Sequence, residues 1–213
     1  MSDRSADANE TLARAYALSG APDDVQQFYK EWAENYDKDV SGMQYTFPQM
    51  AAEALAEVTS QDLAKVRILD AGCGTGLVGV CLAQLGAKNI EGLDISPEML
   101  QRASQTSVYT NLEVADLTKS IARQNEEYDA AICVGTLTKG HLGPQLLDEL
   151  IRVVKRNGYL AATIGGGLWQ HGGFKTKVDE LVKHESVTIV KSTGTGVTIS
   201  KHDAGWLVVL KRL

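Results

Sequence analysis

Val66-Arg67-Ile68-Leu69-Asp70-Ala71-Gly72-Cys73-Gly74-Thr75-Gly76 is the stretch from which the fold can be read. Val66, Ile68 and Leu69 form an apolar run suited to a buried parallel strand, and a glycine loop follows with no polar spacer. Leu77 to Leu85 then has the apolar spacing of a helix, so strand, loop and helix make the first half of a βαβ unit. Gly72, Gly74 and Gly76 let the backbone approach a ligand where any Cβ would collide. The loop reads as a holder for a nucleotide-like cofactor.

The position that would carry the last glycine of a dinucleotide G-x-G-x-x-G turn is Leu77, which argues against an NAD-type ligand. The loop is instead D-x-G-x-G-x-G, and Asp94 closes a second strand, Asn89 to Asp94. A carboxylate at that strand end can accept both hydroxyls of a ribose. LDAGCGTG with this acid resembles the first motif of class I S-adenosylmethionine (SAM)-dependent methyltransferases. The resemblance implies a cofactor site formed by Asp70, Gly72, Cys73, Gly74, Gly76 and Asp94, against the alternative of an ordinary α/β turn.

A chain of 213 residues, 44% hydrophobic and 23% charged, suits one sizeable core with appendages. The formal net charge of −6 argues against a nucleic-acid partner, because polyanion binding draws on clustered Lys and Arg. Cys73, Cys81 and Cys133 lack metal-ligand spacing and read as reduced thiols of a cytoplasmic protein. No apolar run approaches a membrane span, and MSDRSADANE lacks the regions of a signal peptide. The chain shows no HEXXH, CXXC, Walker A or G-x-S-x-G signature. A monomer or homodimer acting on a small molecule, with no metal, is the expectation.

From the N-terminus, residues 1–22 read as an arm, with its first ten positions mobile and a short helix over Leu12 to Leu18. A single domain, 23–213, follows: a helical cap over 23–60, a cofactor core over 64–165 and a substrate-side part over 166–213. Asp23 or Asp24 can cap a helix from Val25 to Tyr36, whose Val25, Phe28, Tyr29, Trp32 and Tyr36 share an apolar face. A further helix spans Pro48 to Thr59. Ser96 is an N-cap with Pro97 at the first helical position. Leu112 to Ala115 and Tyr128 to Val134 read as strands three and four. Gln145 to Val154 is amphipathic, and a turn at Lys155 to Gly158 leads into strand five, Tyr159 to Ile164. The glycine-dense run from Gly165 to Gly173 reads as a mobile loop, a substrate gate or a plain connection. Phe174 to Val182 is the last helix, Val187 to Val190 strand six and Trp206 to Leu210 the closing strand. The pairing of Val197 to Ile199 stays open.

FYKEWAENYDKDV, GLDISPEML, YDAAICVGTLTKGHL and RVVKRNGYL extend the likeness to a small methyltransferase-like subgroup typified by the Williams-Beuren region protein. This resemblance implies a Rossmann-like α/β fold. Its sheet would have seven mostly parallel strands in the order 3-2-1-4-5-7-6, the last antiparallel, with helices on both faces and a helical lid. It implies SAM as cofactor, with Tyr36 as a lid contact, Ile95 and Met99 beside the adenosine, Asp116 and Leu117 on the adenine, and Val134 in the same wall. Tyr36 as a packing residue, Asp116 as a helix cap and Ile95 as plain core remain the alternatives. Ligands of open α/β sheets sit beyond the carboxyl ends of the strands, so Thr136 and His141 after strand four border the acceptor. Trp32, Tyr45 and Trp169 complete the expected substrate side, and His141 and His171 are the candidate general bases, or else surface histidines. The expected activity is methyl transfer to N or O of a small organic molecule; a non-methylating cyclisation or elimination, or a non-catalytic partner protein, is the alternative.

Overall fold

The computed structural model describes residues 2–43, 45–59, 62–198 and 204–213. Among these residues seven strands form one sheet in the order β3-β2-β1-β4-β5-β7-β6, where β1 is Arg67–Ala71, β2 Asn89–Asp94, β3 Asn111–Val114, β4 Tyr128–Leu137, β5 Val154–Ile164, β6 Val187–Thr198 and β7 Ala204–Arg212. The first five run parallel, while β7 pairs antiparallel with both β5 and β6. The expected strand order and the antiparallel last strand are therefore present. Strand β1 explains the central register. Ile68, Leu69, Asp70 and Ala71 are each 0% exposed, which suits a strand covered on both faces.

Helices clothe the two faces. On one side α4 (Phe47–Val58) and α5 (Leu77–Gln84) bury Leu55, Val78 and Leu82 against β1 and β4. On the other α7 (Leu146–Val153), the short α8 (Gly166–His171) and α9 (Phe174–Lys183) bury Leu147, Leu150, Phe174 and Val178. A buried Leu or Phe stabilises by roughly 1.5–3 kcal/mol, so each face contributes substantially to holding the sheet. Helix α6 (Pro97–Gln105) starts as its sequence dictates, with Ser96 Oγ accepting the Met99 amide at 3.2 Å. Such a cap is worth about 1 kcal/mol.

Three more helices, α1 (Ser2–Tyr16), α2 (Pro22–Trp32) and α3 (Tyr36–Gly42), form a cap with its own apolar centre of Leu12, Ala15, Phe28, Trp32 and Val40. Several boundaries differ from the sequence reading. The first helix begins at Ser2, and Ala8, Leu12 and Ala15 bury its inner side. The expected single helix over Val25 to Tyr36 is two, broken by a turn at Ala33 to Asn35. Ala21 rather than an aspartate precedes α2, with Pro22 at its first turn, and Asp24 instead accepts from Ser19 Oγ at 2.8 Å.

The Lys155 to Gly158 turn lies inside β5, between Val154 paired to Tyr128 and Tyr159 paired to Ala130, with Asn157 at φ +64°. The stretch after Ile164 is not an open loop, because α8 occupies most of it. Strand β6 runs on to Thr198, where it pairs with Ala204; the Ile199 end of the open pairing lies outside the described residues.

Candidate functional site

The carboxyl ends of β1, β2, β3 and β4 and the cap line a pocket. Gly72 and Gly74 line its floor, and the three loop glycines do three different things. Gly72, at φ +77°, lies so near Thr136 that a Cβ would overlap the threonine side chain. Gly74, at φ +53°, has open space where a Cβ would stand. Gly76, at φ +96°, opens α5 and packs against Tyr109 and Ala103, away from the pocket. Only the first two face the cavity.

Asp94 lines the pocket and ties the loop to β2, its Oδ2 accepting from the Gly74 amide at 2.8 Å and its Oδ1 from the Ser96 amide at 2.9 Å. Burial raises its pKa, and the amides of Ser96, Gly74 and Ile95 oppose that shift. A carboxylate has about four lone-pair sites, so with three amides bound Asp94 can still accept from a ligand hydroxyl. Ile95, Met99 and Leu117 supply an apolar wall beside it. Asp116 stands at the same wall, with its Oδ1 accepting from the Thr118 hydroxyl at 2.6 Å and its Oδ2 paired to Lys119 at 3.0 Å. Burial alone would raise Asp116; the Thr118 and Lys119 contacts outweigh it and hold the carboxyl below its usual value. Val134, Thr136 and Tyr36 close the remaining sides.

A second, narrow compartment shares Tyr29, Tyr36, Gly135 and His141 with the first. Trp32 and Tyr45 line it as well. Gly135, at φ +75°, has the Tyr45 hydroxyl 2.5 Å from where a Cβ would stand, so this glycine lets the tyrosine approach. His141 Nε2 lies 2.9 Å from the Tyr29 hydroxyl, and its Nδ1 3.0 Å from both Thr138 Oγ1 and the Lys139 carbonyl. Burial lowers the His141 pKa, opposed by its bond to Lys139. The imidazole is thereby kept neutral near pH 7. Burial also raises Tyr29 and Tyr36, with neighbouring Tyr36 and Asp37 charges next in importance respectively, so both phenols stay protonated.

Several candidates lie elsewhere. Asp70 is wholly buried under the loop, its Oδ2 accepting from Tyr109 Oη at 2.7 Å and its Oδ1 without a protein partner. Cys73 is buried with its sulfur against Gly92. Trp169 is a core residue, 4% exposed and stacked on Trp206 at 5.3 Å, because α8 turns it towards β7. His171 ends α8 exposed to solvent and lines neither compartment. The reading from sequence placed Tyr29 only on a helix face; its signal was a third aromatic residue beside Phe28 and Trp32. Tyr109, which fills the space left by Gly76, Gly79 and Gly92, carried no local signal.

The cap is fastened over this site by side chains. Thr75 Oγ1 donates to Asp37 Oδ1 at 2.5 Å and Gln26 Nε2 to the Ile95 carbonyl at 2.9 Å, while Trp32 Nε1, donating to Asp39 Oδ2 at 2.8 Å, ties α2 to α3 within the cap.

Strand order, glycine loop and strand-end acid define the fold of class I SAM-dependent methyltransferases, and residues 68–158 match a family described as a methyltransferase domain. Among individual proteins, the chain is similar to Methyltransferase-like protein 27 of Homo sapiens, 34% identical over 72% of this chain and 64% of that protein. The chain thus spans just under two thirds of that relative's length. Two solved structures share the fold. Magnesium protoporphyrin IX methyltransferase from Synechocystis with bound SAH superposes with a TM-score of 0.62 at 19% identity, covering 82% of this chain and 87% of that one. The [4+2]-cyclase SpnF does so with 0.60 at 17%, covering 77% and 80%. No helix among the described residues is long and apolar enough to cross a membrane.

Proposed function

We propose that the chain is a SAM-dependent methyltransferase that transfers a methyl group to N or O of a small organic molecule. The observation that carries this reading is the junction. A pocket with a buried strand-end carboxylate and an open glycine loop adjoins an aromatic compartment, and Tyr29, Tyr36 and Gly135 belong to both.

The residues fit the cofactor on structural grounds. Asp94 offers a free lone pair for a ribose hydroxyl, Ile95, Met99 and Leu117 a flat apolar slot for a base, and Asp116 a carboxylate at its rim. When bound, SAM would supply an electrophilic methyl carbon, its sulfonium leaving as a neutral thioether. The chain's own contribution is to align and to exclude water: Gly72 and Gly74 allow close backbone approach, and the cap covers the opening through Gly20, Pro22 and Val25. Tyr36, held protonated, faces the junction as a hydrogen-bond donor, and neutral His141 is the base where the acceptor is a hydroxyl.

The same paired compartments would also serve a cyclisation in which SAM is not consumed, a use to which the likeness to SpnF gives a precedent of fold. The test is to incubate the chain with SAM and a panel of amines and hydroxyl compounds and to measure S-adenosylhomocysteine. One equivalent per product supports the proposal. Product without it supports the cyclase alternative.

A further inference from the structure

The aromatic compartment has a definite chemistry. Tyr16, Tyr29, Trp32, Tyr36, Tyr45 and Phe47 line it, with Trp32 and Tyr36 centred 4.8 Å apart edge to face, and Tyr45 and Phe47 5.4 Å apart. Among the described residues lining it there is no Lys, Arg, Asp or Glu. The nearby Asp39 is bonded to Trp32 Nε1. A carboxylate or phosphate ligand would lose its hydration here without a cation in these walls, whereas an ammonium would meet ring faces but no anion. Ring walls favour a ring, by offset and edge-to-face contacts.

Polar atoms gather at one end, where the two compartments meet. A backbone carbonyl can only accept, so the 3.0 Å contact between His141 Nδ1 and the Lys139 oxygen requires the proton on Nδ1. Nε2 then carries a lone pair, and Tyr29 Oη donates to it at 2.9 Å. The Tyr29 oxygen is left with lone pairs of its own, at the boundary that both pockets share. It can accept one further hydrogen from a ligand.

We infer that the acceptor is an uncharged aromatic alcohol, its ring held among the cap tyrosines and its hydroxyl proton passing through Tyr29 to His141. This inference rests on the adjoining pocket being the SAM site. The acceptor oxygen's lone pair forms the O–CH3 bond while the electrons of the breaking C–S bond remain on sulfur. The acceptor proton moves to the Tyr29 oxygen as the Tyr29 proton moves to Nε2, and the imidazolium returns it to solvent. One proton is released per turnover, and the lost sulfonium charge balances it. Tyr29 is thus a catalytic residue of this scheme, and Thr138 and the Lys139 carbonyl position His141.

The test is calorimetric titration of the full chain, saturated with S-adenosylhomocysteine, with phenol, toluene, benzoate and benzylamine. Phenol is expected to bind about tenfold tighter than each of the other three, the scale of one hydrogen bond in a dry site. Tyr29→Phe keeps the ring and should remove that preference over toluene without changing toluene affinity. Benzoate or benzylamine binding tighter than phenol, a phenol preference that survives Tyr29→Phe, or no ring compound binding while S-adenosylhomocysteine does, overturns the inference. Failure of S-adenosylhomocysteine itself to bind strikes the cofactor reading beneath it.

Discussion

The two compartments are built in opposite ways. The cofactor pocket draws its floor and its carboxylates from the ends of β1, β2 and β3, where Gly72, Gly74, Asp94 and Asp116 each follow directly from the strand that places them, and β4 and the cap close it. The aromatic compartment draws on α1, α2, α3 and the ends of β4 and β5, segments remote in sequence that meet only in the fold. Its polar centre joins Tyr29 to His141 across 112 positions of chain. A site written in local strand–loop units is rigid before a ligand arrives, whereas one assembled by a cap depends on how that cap is seated.

The largest effect should come from Gly72→Ala, which imposes a Cβ at φ +77° and drives it into Thr136. Left-handed strain and overpacking together cost on the order of 3 kcal/mol, read as a lower denaturation midpoint and weaker S-adenosylhomocysteine binding. Adding Thr136→Ala should recover the overpacking part; no recovery would mean that the contact is not the cause.

Asp70→Asn separates fold from ligand at the same loop. Burial pushes the Asp70 carboxyl up to about 7, opposed by its bond to Tyr109 and reinforced by Asp94. A folded pKa above the unfolded value of 3.8 means that its contribution is fully present below that value and lost as pH rises through about 7. The asparagine variant should therefore gain stability on wild type as pH rises from about 4 through about 7, and show no advantage at pH near 4. Thermal unfolding across pH checks this, and equal curves at alkaline pH would refute it.

Tyr45→Ala should weaken phenol binding by about tenfold while S-adenosylhomocysteine affinity changes by less than about threefold, since Tyr45 lines only the aromatic compartment. Equal losses for both ligands would erase the distinction between the two regions. The smallest effect belongs to Lys30→Ala. Its 3.7 Å pair with Glu98 joins α2 to α6 with side chains 58% and 34% exposed, so removing it should cost no more than ~0.5 kcal/mol in chemical denaturation. A larger loss would show that surface charge, rather than the buried aromatic seam, seats the cap.

The contrast also explains what could be read in advance. The glycine loop, the place of Asp94 at the end of β2 and the Ser96 cap were legible because each is a short-range pattern with one structural outcome, whereas the strand order, a long-range property, followed only from the family resemblance. Trp169 was misplaced because glycine density suggested an open loop, whereas Gly165 to His171 folds into a helical turn that stacks this ring on Trp206. Asp70 looked like a ligand contact from its place in the motif, but its strand buries it and Tyr109, 39 positions away, occupies its oxygen. The role of Tyr29 was hidden in a helix face of aromatic residues. Only the cap's position over β4 distinguishes it from packing.

The central claim is that the loop and Asp94 hold SAM, and calorimetric titration of wild type and Asp94→Ala with S-adenosylhomocysteine, beside an NAD control, tests it most directly. A charge-assisted hydrogen bond to a ribose is worth up to about 3 kcal/mol, so the account predicts measurable wild-type binding, no response to NAD and an affinity roughly a hundredfold weaker in the variant. Binding of equal strength in the two folded proteins, or none in the wild type, would contradict it.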